Sequence, residues 1–566
     1  MMFVFMMLLA LHVRLGSASE ITTSPNFAAT RPNFVYVLMD DFWLVGGDSG
    51  ALPQTTALLG EAGASFSNFF VSSPKCTPSR SSWLSGRYYH NLRPNGATSG
   101  PGLNTTAFSD SAALFPLLHA AGYATGVFGK IHNNQVHWLC KGPSPLTAPF
   151  THIEAECLPC GGYYDNDWSI KQDDNDTAHT FTLPEASYGR AYSEAEYGNR
   201  SIAWIRKMAT SGSGRPFFAY VGTTGPHLNA VPAPWHRAAT AALTVRAPRT
   251  PNFNQLASDH NPLLAAAPEL DEAAISAVDQ LYRNRWGTLF SIDDLIAGLV
   301  HALEDVHLLD SSYVLASSDH GYHLGQFRIP DEKMLPYETD VRVPLWIRGP
   351  GIAPQTTLPQ LAANIDVAPT LLSLAGLPVP GIMDGKSLTP LLLTASSGGG
   401  GGSGGAGGGG GSMPNQVATG WRTSFIVEFA EGATQMWGTN GLWRGNYTLT
   451  DDMACGVSCG SNCRAHPPLT PAAGGPQYIY DAPSNNWRML RVINTTRDIA
   501  FIEWDQSFTF TSTSIAFREY FDLKADPWQQ TNAWLELDAP TQAALQNEIE
   551  QLYQCRGGVG QPSNCR

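Results

Sequence analysis

The sequence has few charged residues, and basic residues are the scarcer kind. Only 14% of its 566 residues are charged, and 34 Lys and Arg stand against 48 Asp and Glu, which gives a formal net charge of −14. Proteins that bind nucleic acids carry a basic surface, so this composition argues against that class. It also provides no long-range attraction for anionic substrates. We therefore expect any anion-binding site to be built locally.

The sequence lacks an apolar run long enough to span a bilayer. Residues 1–11 are apolar but too short for a membrane span, and small residues at 16–19 offer a cleavage site. We interpret residues 1–19 as a secretory signal peptide; an uncleaved anchor is the alternative. The interpretation predicts no stable membrane insertion and a protein of the secretory pathway, either secreted, in a cell-wall or periplasmic space, or lysosomal.

Five Asn-x-Ser/Thr sequons are consistent with that route and predict glycosylation. They lie at Asn104, Asn175, Asn199, Asn446 and Asn494.

Cysteine is also scarce, and the count is odd. A secreted chain usually pairs its cysteines, and nine leave one over. Eight lie in three loop-like neighbourhoods, whereas Cys76 stands alone in a polar run, SSPKCTPSRSSWLSGR (72–87), which we expect to be a loop. Cys76 is therefore the candidate for the unpaired thiol. The alternative is that another cysteine is unpaired and Cys76 forms a disulfide.

Short apolar runs predict the fold. Continuous Val, Ile, Leu and Phe favour parallel strands that are covered on both faces. The pattern over 281–306 predicts a long amphipathic helix, and alternating strands and helices indicate an α/β fold with a large, mostly parallel sheet between helices. The five predicted strands are NFVYVLMDD (33–41), ATGVFGKIH (124–132), PFFAYVGTTGPH (216–227), SYVLASSDHG (312–321) and VPLWIRGPG (343–351).

A glycine-rich stretch suggests how the chain is divided. Residues 398–412 read GGGGGSGGAGGGGGS and predict a flexible insert. We place the main domain at 32–393 and a smaller α+β domain, packed on the first, at 413–566. Alternatively, the insert is a long surface loop within that region.

Four of the predicted strands end in chemically reactive residues. These are Asp40 and Asp41, Lys130 and His132, His227, and Asp319 and His320. Open α/β sheets bind ligands outside the carboxyl ends of their strands, so these residues could converge on one pocket.

The types of these residues indicate a metal and an oxyanion. Three neighbouring aspartates repel one another unless a hard divalent cation lies among them, and calcium suits a secreted protein. Together with Arg80 and Lys333, the basic residues could stabilise a tetrahedral oxyanion beside the metal. Taken singly, each has an ordinary alternative, such as a helix cap, a turn, a solvated charge or a structural histidine.

The stretch CTPSRSSWLSGR (76–87) resembles the sulfatase signature, Cys-x-Pro-Ser-Arg followed by Ser/Thr-Gly-Arg. The likeness runs from residue 32 to the C-terminus and is strongest to N-acetylglucosamine-6-sulfatases and related secreted arylsulfatases. It rests on RPNFVYVLMDD, GYATGVFGKIH, RPFFAYVGTTGPH, RNRWGTLFSIDDLIAGLVHALE, SSDHGYHLGQF, VPLWIRGPG, ANIDVAPTLLSLAG, MDGKSLTPLL and YFDLKADPWQQTN. The resemblance implies an alkaline-phosphatase-like fold with its catalytic domain over 32–393. It also includes the terminal pair Cys555 and Cys565, separated by nine intervening residues, which we expect to form a disulfide.

The same resemblance implies a reaction. Sulfatases of this kind hydrolyse sulfate monoesters to alcohol and inorganic sulfate, here an aryl sulfate, a 6-sulfated N-acetylglucosamine or another sulfated glycan. Their motif cysteine is oxidised by a formylglycine-generating enzyme to formylglycine (3-oxoalanine), which would explain an unpaired Cys76. One hydroxyl of the hydrated aldehyde attacks sulfur, and the other then allows sulfate to leave.

The resemblance also implies a role for each site residue. One Ca²⁺ would be bound by Asp40, Asp41, Asp319 and His320 together with the modified Cys76. The family usually has Asn at the position of His320. Arg80 and Lys130 would hold the formylglycine hydrate, and His132 would be the partner or base of its second hydroxyl. His227 and Lys333 would bind sulfate and assist the leaving oxygen. Two alternatives remain, a phosphate or phosphonate monoester hydrolase of the same superfamily and a non-catalytic binder of sulfated glycans.

Overall fold

The computed structural model describes thirteen stretches of the chain. They are residues 31–43, 48–92, 111–133, 139, 145–157, 163–164, 167–182, 191–227, 230–394, 420–430, 485–505, 510–511 and 513–557. The predicted signal peptide and glycine-rich insert lie outside them, as do Asn104 and Asn446. Of the other sequons, Asn175 and Asn199 are exposed and Asn494 is half-buried.

Three sheets organise the described residues. A ten-stranded sheet has the order β11-β2-β10-β9-β1-β8-β4-β5-β6-β7, β12 pairs with β3, and β13 to β16 form an antiparallel sheet in chain order. The strands are β1 (Asn33–Met39), β2 (Ala64–Phe66), β3 (Phe69–Phe70), β4 (Ala124–Gly129), β5 (His152–Glu156), β6 (Asp167–Lys171), β7 (His179–Thr182), β8 (Phe217–Gly222), β9 (Ser312–Ser318), β10 (Leu345–Arg348), β11 (Thr356–Leu358), β12 (Ala362–Ala363), β13 (Ser424–Ala430), β14 (Asn486–Ile493), β15 (Asp498–Asp505) and β16 (Ile515–Asp522).

The centre of the large sheet is parallel, as predicted. Strands β9, β1, β8, β4 and β5 run in one direction. The prediction that 343–351 is also a parallel strand is wrong, because β10 runs antiparallel to β9. The chain turns back at the carboxyl end of β9 and begins β10 without crossing to the opposite edge, and a parallel pair requires such a crossover.

Strand β1 shows why its apolar run is continuous. Phe34, Tyr36 and Leu38 belong to one hydrophobic core, whereas the alternate residues Val35 and Val37 belong to another. Successive side chains of a strand point to opposite faces, so a strand covered on both sides needs apolar residues throughout.

Helices cover the large sheet. The longest, α8, spans Glu272–Asp305 and begins earlier than the predicted 281–306, because the Asp271 side chain accepts a hydrogen bond from Ala274 N and caps it. No described helix combines the length and apolar character needed to cross a membrane. The other helices are α1 (Pro53–Thr55), α2 (Cys76–Ser85), α3 (Tyr89–Leu92), α4 (Leu114–Ala120), α5 (Ser193–Thr210), α6 (Arg237–Ala241), α7 (Pro262–Ala265), α9 (Glu338–Val341), α10 (Val367–Leu374), α11 (Thr389–Thr394) and α12 (Ala539–Tyr553).

The C-terminal sheet shares a hydrophobic core with the large sheet. Phe425 of β13 packs on Phe70 of β3 at 5.5 Å between ring centroids, and both belong to the core that contains Phe34 of β1. Strands β13 to β16 with α12 form the predicted α+β arrangement. The division at 393 and 413 stays a prediction, since residues 395–419 lie outside the described part of the chain.

Among the described cysteines, Cys157 and Cys555 are disulfide-bonded and Cys76 is a free thiol. The partners of the two bonded cysteines lie outside the described residues. The pairing of Cys555 with Cys565 therefore stays a prediction.

Candidate active site

The predicted strand-end residues meet at one edge of the large sheet. The segments after β1, β9, β8 and β4 are joined by backbone hydrogen bonds from Asp319 N to Met39 O at 3.0 Å, from Lys130 N to Gly222 O at 2.9 Å and from Asp40 N to Gly225 O at 3.2 Å. Because neighbouring parallel strands end at the same edge, the register of the sheet brings these segments into one pocket.

The loop expected around Cys76 is a helix. Cys76 is the first residue of α2, all ten of whose residues are buried, and the helix ends at Gly86 with a left-handed φ of 66°. Pro78 fits because the first turn of a helix has no internal acceptors for its N–H groups. The helix therefore directs its N-terminus, with its partial positive charge, at the pocket.

The three aspartates each have a basic partner. Lys130 Nζ contacts Asp40, Lys333 Nζ lies 2.9 Å from both Asp41 carboxylate oxygens, and Arg80 Nε lies 2.9 Å from Asp319 Oδ2. All six side chains are almost wholly buried. Unpaired buried charges are costly, so the pairs stabilise one another.

The pKa values of these carboxyls diverge. Burial opposes ionisation, yet Lys130 holds the pKa of Asp40 well below its usual range, and Lys333 lowers the pKa of Asp41 to about 2. Burial instead dominates at Asp319, where it raises the pKa to about 7 against the influence of His320. The third carboxylate is thus the least compensated of the set.

Cys76 lies at the centre of these charges. Its Sγ is 3.3 Å from His320 Nε2, 3.6 Å from Asp40 Oδ1 and 3.7 Å from Lys130 Nζ. Although burial favours the thiol, Lys130 contributes to holding its pKa well below the usual range. Such surroundings favour an anionic or strongly polarised group at position 76.

The same residues fit a metal ion. Donor atoms of Asp40, Asp41, Cys76 and His227 lie within 4.8 Å of one another, as do those of Asp40, Cys76, Asp319 and His320. His320 Nδ1 faces Gly321 O at 3.0 Å, so it carries the proton and leaves Nε2 as a possible ligand. Burial opposes a charge on His320, yet Asp319 raises its pKa to about 10, and a metal ion bound at Nε2 would take the place of that second proton. Carboxylate-rich sites suit hard divalent cations.

The other two predicted histidines differ in protonation. Burial and the neighbouring Arg80 lower the pKa of His132 to about 3, and its Nε2 lies 3.4 Å from Ser81 Oγ. His227 is 15% exposed and its Nε2 is 3.9 Å from Asp41 Oδ2. Burial and Lys333 oppose its charge, but Asp41 and Asp40 raise its pKa. A neutral histidine thus lies on one side of the pocket and a more readily protonated one on the other.

Comparison with known proteins decides the family. The family model described as Sulfatase matches residues 32–377. The chain belongs to the sulfatase family. Human N-acetylglucosamine-6-sulfatase is 30% identical to it over 93% of this chain and 85% of that protein. The Drosophila melanogaster extracellular sulfatase SULF-1 homolog is 32% identical over 74% of this chain and 35% of that protein.

A solved structure shares the fold. The structure of BT4656 in complex with its substrate D-glucosamine-2-N,6-O-disulfate matches with a TM-score of 0.63 and 19% identity, covering 93% of this chain and 98% of that one. The predicted alkaline-phosphatase-like fold and the predicted sulfatase, a sulfuric ester hydrolase, are confirmed. Members of the family generally bind a metal ion, which agrees with the cluster.

The sulfatase pocket contains supporting residues that the sequence analysis missed. Ser79 donates a hydrogen bond to Asp319 O, and Arg285 donates to Asp41 O and, at 2.8 Å, to Pro226 O. Glu194 Oε1 accepts from Gly225 N at 2.6 Å and from Thr224 N at 3.1 Å. Arg285 could have been noticed as a charged residue on the buried face of an amphipathic helix, whereas nothing around Glu194 marks it.

The C-terminal sheet of the sulfatase supports Lys333. Met334 O accepts hydrogen bonds from Trp487 Nε1 of β14 at 3.0 Å and from Asn485 Nδ2 at 3.3 Å. On either side, Glu332 O accepts from His323 N and Leu335 N donates to Asp340 Oδ2, each at 2.8 Å. The backbone around Lys333 is therefore fixed from two parts of the chain.

We predict that Trp487→Phe weakens substrate binding. The substitution keeps an aromatic ring but removes the bond to Met334 O, which lets Lys333 shift. Because one hydrogen bond contributes about 1 kcal/mol, KM for a sulfate ester should rise about two- to tenfold with little change in metal content. Steady-state kinetics and elemental analysis would measure both.

Trp504→Phe is the matched control for this prediction. Trp504 is buried, pairs with Trp487 across β14 and β15, and among the described residues its indole donates no hydrogen bond to the Lys333 segment. Equal rises in KM for the two variants would mean that general packing, not the bond to Met334, supports the site.

Proposed function

We propose that this sulfatase removes the 6-sulfate of glucosamine residues in sulfated glycans, using formylglycine formed from Cys76. The observation that carries the mechanism is the free, 2%-exposed Cys76 at the start of α2, within 3.7 Å of both Lys130 and His320. The substrate class is supported by the name of the human relative, N-acetylglucosamine-6-sulfatase, and by the D-glucosamine-2-N,6-O-disulfate bound to BT4656.

When formed, formylglycine supplies a hydrated aldehyde with two hydroxyls on one carbon. One hydroxyl would lose its proton to a carboxylate of the pocket and attack sulfur as the bond from sulfur to the alcohol oxygen breaks. The other would then lose its proton to water as the bond from carbon to the sulfate oxygen breaks, which releases sulfate and restores the aldehyde. The oxygens of the hydrate would occupy the region of the Cys76 Sγ. There Lys130, 3.7 Å from the Sγ, would hold them, and Arg80 would fix Asp40 and Asp319 around them. The pair of fixed cations stabilises negative charge as it develops in the transition state.

The two histidines suit different roles. His227, whose pKa is raised, would give a proton to the oxygen of the departing alcohol as its bond to sulfur breaks. His132, whose pKa is lowered to about 3, is neutral and would orient the second hydroxyl by accepting its hydrogen bond. Lys333, held by Asp41, would contact the sulfate oxygens.

The proposed metal is one Ca²⁺. The Ca²⁺ would neutralise charge on the sulfate oxygens. Its ligands would be Asp40, Asp41, Asp319, His320 Nε2 and the modified residue at 76. The donor set, rich in buried carboxylates, supports this assignment over a thiolate-preferring metal.

We also propose that the protein matures in the secretory pathway. A signal peptide at 1–19, five sequons and a formylglycine-generating enzyme as a transient partner are consistent with that route. The exposure of Asn175 and Asn199 makes both accessible for glycosylation. The Drosophila relative is named an extracellular sulfatase.

Mature Cys76 should be formylglycine. Mass spectrometry of the tryptic peptide 76–80 should show the loss of one sulfur and two hydrogens and the gain of one oxygen. Cys76→Ala should abolish turnover yet fold, since it removes a single buried sulfur. Active protein from a eukaryotic secretory host that carries only the unmodified thiol would refute the mechanism.

The substrate should be a 6-sulfated glucosamine. Sulfate release should be faster from N-acetylglucosamine 6-sulfate than from its 3-sulfate isomer, because only the 6-position presents sulfate on a flexible primary carbon at the end of the ring. A matched pair of aryl sulfate and aryl phosphate tests the ester type. Hydrolysis of the phosphate alone would contradict a sulfatase, and equal rates on both isomers would contradict 6-sulfate specificity.

Metal content and activity should fall together in Asp40→Asn and Asp319→Asn. Each change keeps the shape of the side chain but removes a charge from the cluster, so affinity for Ca²⁺ should fall by at least about 100-fold. Chelation should mimic the variants and added Ca²⁺ should restore the wild type. His320→Asn should be tolerated, since Asn also offers a ligand atom. Full Ca²⁺ occupancy in both active Asp variants would rule out a shared site.

A further inference from the structure

We propose that Trp235 and Arg237 form a second saccharide-binding subsite, which receives another sugar residue of the same acidic glycan chain whose sulfate is cleaved. The inference rests on the proposed function, since only a saccharide substrate extends beyond the pocket. It predicts that the enzyme binds sulfated oligosaccharides more tightly than a single sulfated sugar.

Trp235 is an unusual surface residue. Its side chain is 55% exposed, and the other exposed large hydrophobic residues of the described chain are aliphatic. Exposing an indole without a ligand forfeits a large burial energy, so such residues often mark binding sites. The indole face carries partial negative charge and can stack on the C–H groups of a sugar ring.

Aromatic contacts connect Trp235 to the active site. The Trp235 ring packs edge-on against Tyr192 at 5.6 Å, and Tyr192 stacks on Tyr163 at 5.9 Å. The Tyr163 hydroxyl donates a hydrogen bond to His227 O at 3.0 Å. The buried part of this cluster, Tyr163, Tyr192 and Ala233, is separate from the main cores. The exposed Trp235 is therefore connected to the His227 segment through two buried tyrosines.

The segment that carries Trp235 is held by side-chain hydrogen bonds on both sides of that residue. Tyr192 OH donates to Val231 O at 2.9 Å, and His236 Nε2 lies 2.9 Å from Asp294 Oδ2 of α8. A preformed platform loses little conformational entropy when a ligand binds, which favours a binding role over an incidental exposed loop.

Arg237 adds a positive charge to the same surface. It is exposed, its Nη2 lies 3.4 Å from Tyr164 OH, and Tyr164 packs against Tyr192 at 5.5 Å. Within the described part of the chain it forms no ion pair. In a protein with a net charge of −14, an available guanidinium beside an aromatic face suits a ligand with both sugar rings and anionic groups. Sulfated or carboxylated oligosaccharides have this chemistry.

The test compares Trp235→Ala and Arg237→Gln on a 6-sulfated tetrasaccharide and on N-acetylglucosamine 6-sulfate. Trp235→Ala should raise KM for the tetrasaccharide about three- to tenfold and leave the monosaccharide unaffected. Arg237→Gln should give a smaller rise that disappears at high salt, because exposed charges are screened. Leu535→Ala, which truncates an 88%-exposed side chain elsewhere, is the control and should change neither.

Three outcomes would overturn the subsite. Unchanged KM for the tetrasaccharide in both variants would show that neither residue binds it. Equal losses on both substrates would show that the residues support His227 instead. A wild type that cleaves aryl sulfate but neither saccharide would refute the proposed substrate, and with it the subsite. If the wild type cleaves the monosaccharide normally and the variants leave the tetrasaccharide kinetics unchanged, only the subsite is refuted.

Discussion

The active site depends on one-to-one charge pairing between buried side chains. Asp40, Asp41 and Asp319 are each buried, and Lys130, Lys333 and Arg80 neutralise them one for one. With these six charges balanced, a divalent cation would give the pocket a surplus of positive charge. A sulfate monoester, and still more the sulfate dianion that leaves, would compensate that surplus. The site thus accepts an anion in a protein whose overall charge is negative.

The large sheet makes this pairing possible. The partners of each ion pair lie far apart in sequence, Arg80 and Asp319 by 239 residues and Lys333 and Asp41 by 292. Parallel strands bring their carboxyl ends to one edge, so the register of β1, β8, β9 and β4 sets the positions of the charges. Stability and function use the same contacts, because removing either partner of a buried pair leaves an uncompensated charge.

Much of this arrangement could be predicted from sequence because its determinants are local. Apolar runs followed by Asp40 and Asp41 or by Asp319 and His320 mark strands and their functional ends. The direction of β10 and the helical state of α2 could not be predicted in the same way. The direction of β10 depends on which edge of β9 the connection after β9 leads back to. The helical state of α2 depends on contacts with distant segments that bury polar residues such as Ser79 and Arg80.

Contributions from outside the strand ends were the least predictable part of the site. Trp487 reads as an ordinary strand residue, yet its indole bonds to the backbone beside Lys333, 154 positions earlier in the chain (487 − 333). Glu194 likewise reaches across to the segment that carries His227. Both act through backbone groups, which leave no mark in the sequence of the segment they hold. The C-terminal sheet is therefore part of the catalytic structure, because the lysine that completes the charge pairing at Asp41 is positioned by a strand of that sheet.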